Sequence, residues 1–423
     1  MSATAIPSTG SPYAAPGAVP STTATPARER LLALDVFRGA TIAGMLLVNN
    51  PGTWGAIYPP LKHAAWHGWT PTDLIFPFFL FIVGITTHLS LTARRARGDS
   101  DGVLLRQVAR RAALIFLFGL FLSWFPGFTW GAVAGNADPG LLDRVVDRLE
   151  HVRIMGVLQR IALCYLIVGV LAVTTGFRAQ LAALGVMLLG YWAVMTLLPV
   201  PGTGLVGWQT LDDGPLTMAA WTDRLLLDWG VLGNHLYAAT RTWDPEGILS
   251  TVPAAGTALL GVFAGRWLGA PRPLAERLNG LFAVGAIGMM VGLVWHWAFP
   301  INKSLWTSSY VVFTAGMAAV ALATCLWLID VRGWRGWTRP FVVYGVNPIV
   351  AFVGSGLMAR LIYSIIKVDY AGERISLQAA VYRSLFASWL PPEAASLGFA
   401  LCFVLLWYAI LLVLYRRNIF LKV

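Results

Sequence analysis

Apolar residues run along this chain in long blocks separated by shorter polar stretches. Ten blocks reach the roughly 18 residues that cross a bilayer as a helix. They lie at about 33–50, 72–92, 108–125, 154–175, 178–198, 248–269, 277–298, 307–330, 339–364 and 394–415. Three carry internal punctuation. The first holds Asp35 and Arg38, the second holds Pro77, and the ninth holds Asn347-Pro348. A proline inside a helix removes a backbone bond and predicts a kink with a freed carbonyl. The pattern predicts an all-α, polytopic membrane helical bundle of about ten transmembrane helices, with both termini on one side.

Composition supports the membrane reading. Of 423 residues, 57% are hydrophobic and only 12% charged, against about 25% charged in ordinary soluble domains. Residues 1–27 are rich in Pro, Ala, Ser and Thr and lack the basic-then-apolar order of a secretory signal. Residues 1–30 therefore read as a disordered cytoplasmic tail, and 31–423 as one transmembrane domain. Cys164, Cys325 and Cys402 all fall in apolar runs without a metal-ligand spacing. They read as small core residues, and no metal is expected.

Charge assigns the sides. With the termini inside, the inner segments hold 18 basic and five acidic residues, and the outer ones hold 12 basic and 14 acidic. Cytoplasmic loops favour Lys and Arg, so both termini are expected in the cytoplasm. The net charge of +11 then reflects topology. No basic stretch is interleaved with aromatics in the manner of a single-strand binder, so no nucleic-acid partner is expected. Two outer segments, about 126–153 and 199–247, are long enough to imply function or separate folding.

The richest polar cluster is KHAAWHGWTPTD at 62–73, at the outer lip of the second block. His63 is a candidate general base, or simply a solvated interfacial histidine. His63 and His67 are four residues apart, but Gly68 and Pro71 disfavour the helix that a shared metal would need. Asp73 suits the first turn of the second helix, capped by Thr70 or Thr72. Trp54, Trp66 and Trp69 form an aromatic belt or stack on a sugar ring. Asn49 ends the first block as part of a turn signal, or donates to an oxyanion. Asp35 and Arg38 share a helix face as a structural ion pair or an anion site. Gln159, Arg160, Asp244, Glu246, Asn302, Lys303 and Asn347 are expected to gather around one outer-leaflet cavity. There, Asp244 and Glu246 suit an ammonium or sugar hydroxyls.

Six segments together carry a resemblance. They are LLALDVFRG at 31–39, KHAAWHGWTPTDLIFPFFLFIVG at 62–84, IMGVLQRIALCY at 154–165, WDPEGILSTVPA at 243–254, INKSLWTSSYV at 301–311 and YGVNPIV at 344–350. The chain resembles the heparan-alpha-glucosaminide N-acetyltransferase family of transmembrane acyltransferases. It looks like a bacterial-type member lacking the N-terminal luminal domain, with His67 where lysosomal members carry Asn.

The resemblance implies acetyl transfer from cytoplasmic acetyl-CoA to the amine of a glucosamine-type sugar across the membrane. It implies His63 as the catalytic base, Asn49 as its partner, and a homodimer. Beside the resemblance, the polar positions themselves read Asp73, Trp66, Asp244, Glu246, Asn302, Lys303 and Asn347 as facing the acceptor, and Arg38, Asp35, Gln159, Arg160, Arg94 and Arg110 as facing acetyl-CoA. A bacterial inner membrane is the expected location, with lipid bilayer around the bundle. Two rivals remain open. O-acylation of a cell-envelope polysaccharide would use the same base and donor. A sugar transporter would need inverted repeats, and the two halves show no convincing similarity.

Overall fold

The computed structural model describes residues 31–129, 133, 136 and 138–421. The expected tail at 1–30 lies outside the described residues. The first three helices are Leu32–Asn49 (α1), Pro71–Arg95 (α2) and Asp101–Trp124 (α3). A short helix, Leu141–Glu150 (α4), precedes Val157–Thr174 (α5). Phe177–Gly185 (α6) and Tyr191–Leu197 (α7) join through one π turn into a single rod. Met218–Leu227 (α8) belongs to the long segment that follows. Thr251–Leu268 (α9), Leu274–Trp295 (α10) and Ser308–Leu326 (α11) continue the bundle, α11 running on through a π turn to Val331. Then come Arg339–Val346 (α12), Pro348–Arg360 (α13), Leu377–Leu385 (α14) and Pro392–Arg416 (α15).

Every predicted apolar block contains a helix. Among the described residues, eight are long and apolar enough to cross a membrane, which makes this an integral membrane protein. α3 and α9 are not among those eight. α3 carries Arg106, Arg110 and Arg111. α9 is rich in Gly, Ala and Thr, and most of its length is buried.

α9 is the central post. A Cβ on Gly84 of α2 would lie 1.8 Å from the Ala258 carbonyl oxygen, and one on Gly261 of α9 would lie 2.1 Å from that of Phe81. The two backbones therefore touch, as small residues permit between membrane helices. α2 stays helical through the buried Pro77. Around this seam Leu80, Ile161, Leu259, Trp306 and Tyr310 form the largest apolar core.

Two expectations are corrected. The ninth block is not one rod. A Cβ on Gly39 would meet the Phe341 carbonyl and one on Gly345 would meet that of Asp35, so α12 runs antiparallel to α1. The chain reverses at Asn347-Pro348, and α13 then reaches the far end of α1, where Tyr363 Oη donates to the Pro51 carbonyl at 2.8 Å. Proline, lacking an N–H, is tolerated in the first turn of α13 but ends α12. The fold is also not purely helical. Lys367–Tyr370 (β1) pairs antiparallel with Glu373–Ser376 (β2). Of the cysteines, Cys164 alone is fully buried, and Cys402 is exposed on α15.

Candidate active site

Pro71 starts α2 and Asp73 closes its first turn, accepting from the Thr70 N–H at 3.0 Å. The same carboxylate reaches back over the preceding loop. Its Oδ2 accepts from Ala64 N at 2.9 Å, and its Oδ1 lies 2.6 Å from His63 Nδ1. Thr70 Oγ1 donates to the Lys62 carbonyl at 2.6 Å, so both residues flanking His63 are fixed. Asp73 is 1% exposed while the His63 side chain is 47% exposed. A carboxylate that already accepts from backbone N–H groups also accepts from His63, so Nδ1 carries the proton and donates it. That leaves the lone pair of His63 on Nε2, in reach of a ligand.

Lys303 completes the cluster from the α10–α11 loop. Its Nζ lies 2.9 Å from His63 Nδ1, 3.3 Å from Nε2 and 3.5 Å from Asp73 Oδ1. The two ring lone pairs point apart in the ring plane, so an ammonium near both nitrogens must lie across the ring face. It occupies neither lone pair. Burial lowers the Lys303 pKa, against the pull of Asp73 and Glu246. Its loop is built firmly. Asn302, fully buried, accepts from the Leu305 N–H at 2.9 Å. Trp306 sits at φ 51°, a costly value for a bulky residue, and its Nε1 donates to Thr257 Oγ1 at 3.1 Å. Tyr310 Oη ties α11 to α2 through the Asp73 carbonyl at 2.5 Å.

Behind this cluster lies a charge network. Arg153 Nε donates to Asp244 Oδ2 at 2.8 Å, and the same guanidinium pairs with Glu246. Asp244 and Glu246, expected to meet an acceptor ammonium, therefore already have their cation. Burial opposes ionisation of Glu246, but Arg153, Arg160 and Lys303 hold its pKa below the ordinary range. Arg160, fully buried, donates to Ser250 Oγ at 2.5 Å and lies 5.1 Å over the Trp306 ring. Asp223 on α8, which sequence reading missed, accepts from the Asp244 and Ile248 N–H groups at 3.1 and 2.9 Å. Burial pushes its carboxyl up to about 7 against those two bonds.

Trp66 and His67 pin the loop to the long segment before α9. Trp66 Nε1 donates to the Leu211 carbonyl at 2.8 Å, and its ring meets Trp243 edge-on at 5.4 Å. His67 Nε2 faces Asp212 Oδ1 at 2.8 Å, while its Nδ1 faces the Asn302 amide at 3.3 Å. The two histidines thus serve different carboxylates. Trp66, expected to stack on a sugar, is engaged in holding the loop.

Asn49 stands apart from His63. With Asn50, Ser123, Arg153, Gln159 and Arg360 it lines a cavity of about 260 Å³ among α1, α3, α5 and α13, whose remaining wall is largely apolar. Arg153 thus joins this cavity to the charge network.

The remaining expected residues lie at the opposite end of the bundle. Arg38 donates to Asp35 Oδ1 at 2.6 Å and to the Gly345 carbonyl at 2.7 Å, bridging α1 to α12. Asn347 is corrected from the outer cavity: its amide donates to the Ile419 carbonyl and accepts from the Leu421 N–H, both at 3.0 Å. Arg94 pairs with Asp99 at 2.5 Å, and Arg110 is exposed on α3.

No protein-family model matches the chain. Two curated relatives do. Heparan-alpha-glucosaminide N-acetyltransferase of Homo sapiens is 32% identical over 369 residues, covering 77% of this chain and 52% of that protein. The protein of the same name from Mus musculus is 31% identical over 370 residues, covering 77% and 53%. The chain spans about half the length of these relatives. The similarity runs through most of the bundle, and by that homology the chain belongs to the heparan-alpha-glucosaminide N-acetyltransferase family.

Proposed function

We propose that this protein is a transmembrane acetyltransferase that moves an acetyl group from acetyl-CoA to the amine of a glucosamine-type sugar. One observation carries the reading: an exposed imidazole whose Nδ1 is taken by a buried carboxylate, leaving Nε2 free. That is a general base with its tautomer fixed by a third group. The relatives' name supplies the glucosaminide and the acetyl group.

Nε2 of His63 takes the proton that the attacking amine releases as its N–C bond forms. It returns that proton to sulfur as the C–S bond breaks, so the imidazole ends neutral. Lys303, beside Nε2, supplies positive charge for the developing oxyanion. The cavity beside Asn49 and Gln159 fits an amide-bearing chain, because it offers side-chain donors and acceptors. Those residues would hold the pantetheine arm, whose thioester supplies the activated acetyl group. Transfer is direct, within one complex.

In this reading ten helices span, the eight long apolar ones with α3 and α9. Both termini are cytoplasmic, as the Lys and Arg excess there supports, and His63 faces the periplasm of a bacterial inner membrane. Arg94 and Arg110 then sit on the side where the donor's phosphates enter. The assembly is a homodimer.

The test is acceptor-dependent thiol release by detergent-purified protein given acetyl-CoA and glucosamine, beside His63→Ala. Release that disappears in the variant supports the reading. Release that persists removes His63 from the mechanism. Release with hydroxyl but not amine acceptors reassigns the product to an ester. Radiolabelled acetyl retained on the protein without acceptor overturns direct transfer.

A further inference from the structure

At the end of the bundle remote from His63, a crevice of about 580 Å³ opens between the α6–α9 side and the α10–α11 hairpin. Its wall is apolar almost throughout, with Phe81, Leu260, Phe263 and Leu281 among the lining. Val284 of this wall is 67% exposed, so the crevice opens sideways toward the surrounding hydrocarbon. Polar side chains occur only where α9 gives way to α10, as Arg266, Trp267 and Arg272. Arg266 lies 5.1 Å over Phe177 and donates one N–H to Gln180 at 3.1 Å. Arg272 lies 4.7 Å over Trp267 and pairs with Glu276. Each guanidinium has five N–H donors, so both keep several for a ligand. Arg277 adds a third cation beside them, bonded to the Leu268 carbonyl. Glu276 is their single carboxylate partner among the described residues.

We propose that this crevice binds an anionic phospholipid, one acyl chain along the apolar wall and the phosphate at Arg266 and Arg272. The volume is that of an ordinary ligand pocket. Lipid tails are as apolar as the wall, so the chain gains little by leaving bulk lipid. Selectivity must therefore come from the headgroup, through charge-assisted bonds to arginine. The pantetheine arm of the donor does not suit this wall. Its amides would be buried without partners, since the Trp267 N–H already donates to the Arg277 carbonyl at 2.9 Å. The lipid would bridge α9 and α10 at the end opposite Lys303, and the assignment stands independently of the proposed reaction.

Trp267 in the wall is the reporter. The full chain is reconstituted in phosphatidylcholine nanodiscs with increasing fractions of lipid brominated on its acyl chains. The difference in quenching between wild type and Trp267→Phe isolates this one indole. Brominated phosphatidylglycerol should quench Trp267 at about one tenth the mole fraction that brominated phosphatidylcholine needs. Arg266→Gln with Arg272→Gln should abolish that preference and keep the maximal quench, which also shows the crevice still folded. Equal quenching by the two lipids in wild type overturns the proposal, leaving annular contact. Absence of Trp267 quenching by either lipid overturns it as well. Displacement of the lipid by acetyl-CoA reassigns the crevice to the donor and overturns it too.

Discussion

Two polar clusters sit at opposite ends of this bundle, and both begin as charged residues in apolar helices. At one end Arg38 is bonded to Asp35 and the Gly345 carbonyl, and Asn347 to the backbone of residues 419 and 421. At the other, Asp73 is held by backbone N–H groups, but the histidine it holds keeps a lone pair on Nε2 at the surface. The bonds shown for the first cluster tie helices and the C-terminal segment together. The second leaves one lone pair over. A charge in a membrane helix marks function only where some valence remains for a ligand; otherwise it marks a joint.

The sharpest way to break this contrast is to remove the free nitrogen. His63→Ala should lower kcat by about 10³-fold or more with an unchanged melting curve, measured as thiol release beside thermal unfolding. A comparable loss in Arg38→Gln per folded molecule would erase the distinction. Asp73→Asn should come next, at about 10²- to 10³-fold. An amide facing Nδ1 favours the wrong tautomer, and the pH–rate profile should change shape rather than merely fall. Lys303→Met should cost about 10- to 100-fold in kcat, with little change in the acceptor KM if its charge serves the transition state. Arg38→Gln, in contrast, should destabilise by about 1–3 kcal/mol, lowering Tm by several degrees while kcat per folded molecule holds.

The smallest effect concerns pH. Asp223 sits near 7 in the folded protein because of burial, well above an ordinary carboxylate. The folded state therefore binds more protons than the unfolded one between about pH 4 and pH 7. Stability should be greatest below that window and fall as pH rises through it. Asp223→Asn should flatten the slope, as Tm against pH would show. A slope unchanged in the variant assigns the dependence to another group.

The helical blocks were legible because an apolar run of span length, placed in lipid, must satisfy its backbone hydrogen bonds internally. His63 and Asp73 stood out in a single motif, and Lys303 in another. What brings the third residue across the ring is the loop held by Trp306 and Asn302, which no local pattern specifies. Asp244 and Glu246 misled for a related reason. Their counter-ion, Arg153, lies 91 and 93 residues away, and carboxylates read alone look available. Asn347-Pro348 misled differently. The same dipeptide breaks a helix whether the chain then continues across the membrane or turns back. Asp223 gave no signal beyond its place in a long outer segment.

The glycine seam between α2 and α9 also carries a consequence for biosynthesis. Gly84 and Gly261 belong to opposite halves of the chain, so the notch on α2 stays open until α9 has left the ribosome. At translation rates of about 5–20 residues per second that interval is on the order of ten seconds or more. Asp73 and His63 are made early and are joined by bonds within residues 62–73, but the Lys303 ammonium reaches the His63 ring only once the α10–α11 loop arrives. A nascent or truncated chain that stops before the α10–α11 loop would carry His63 and Asp73 without Lys303.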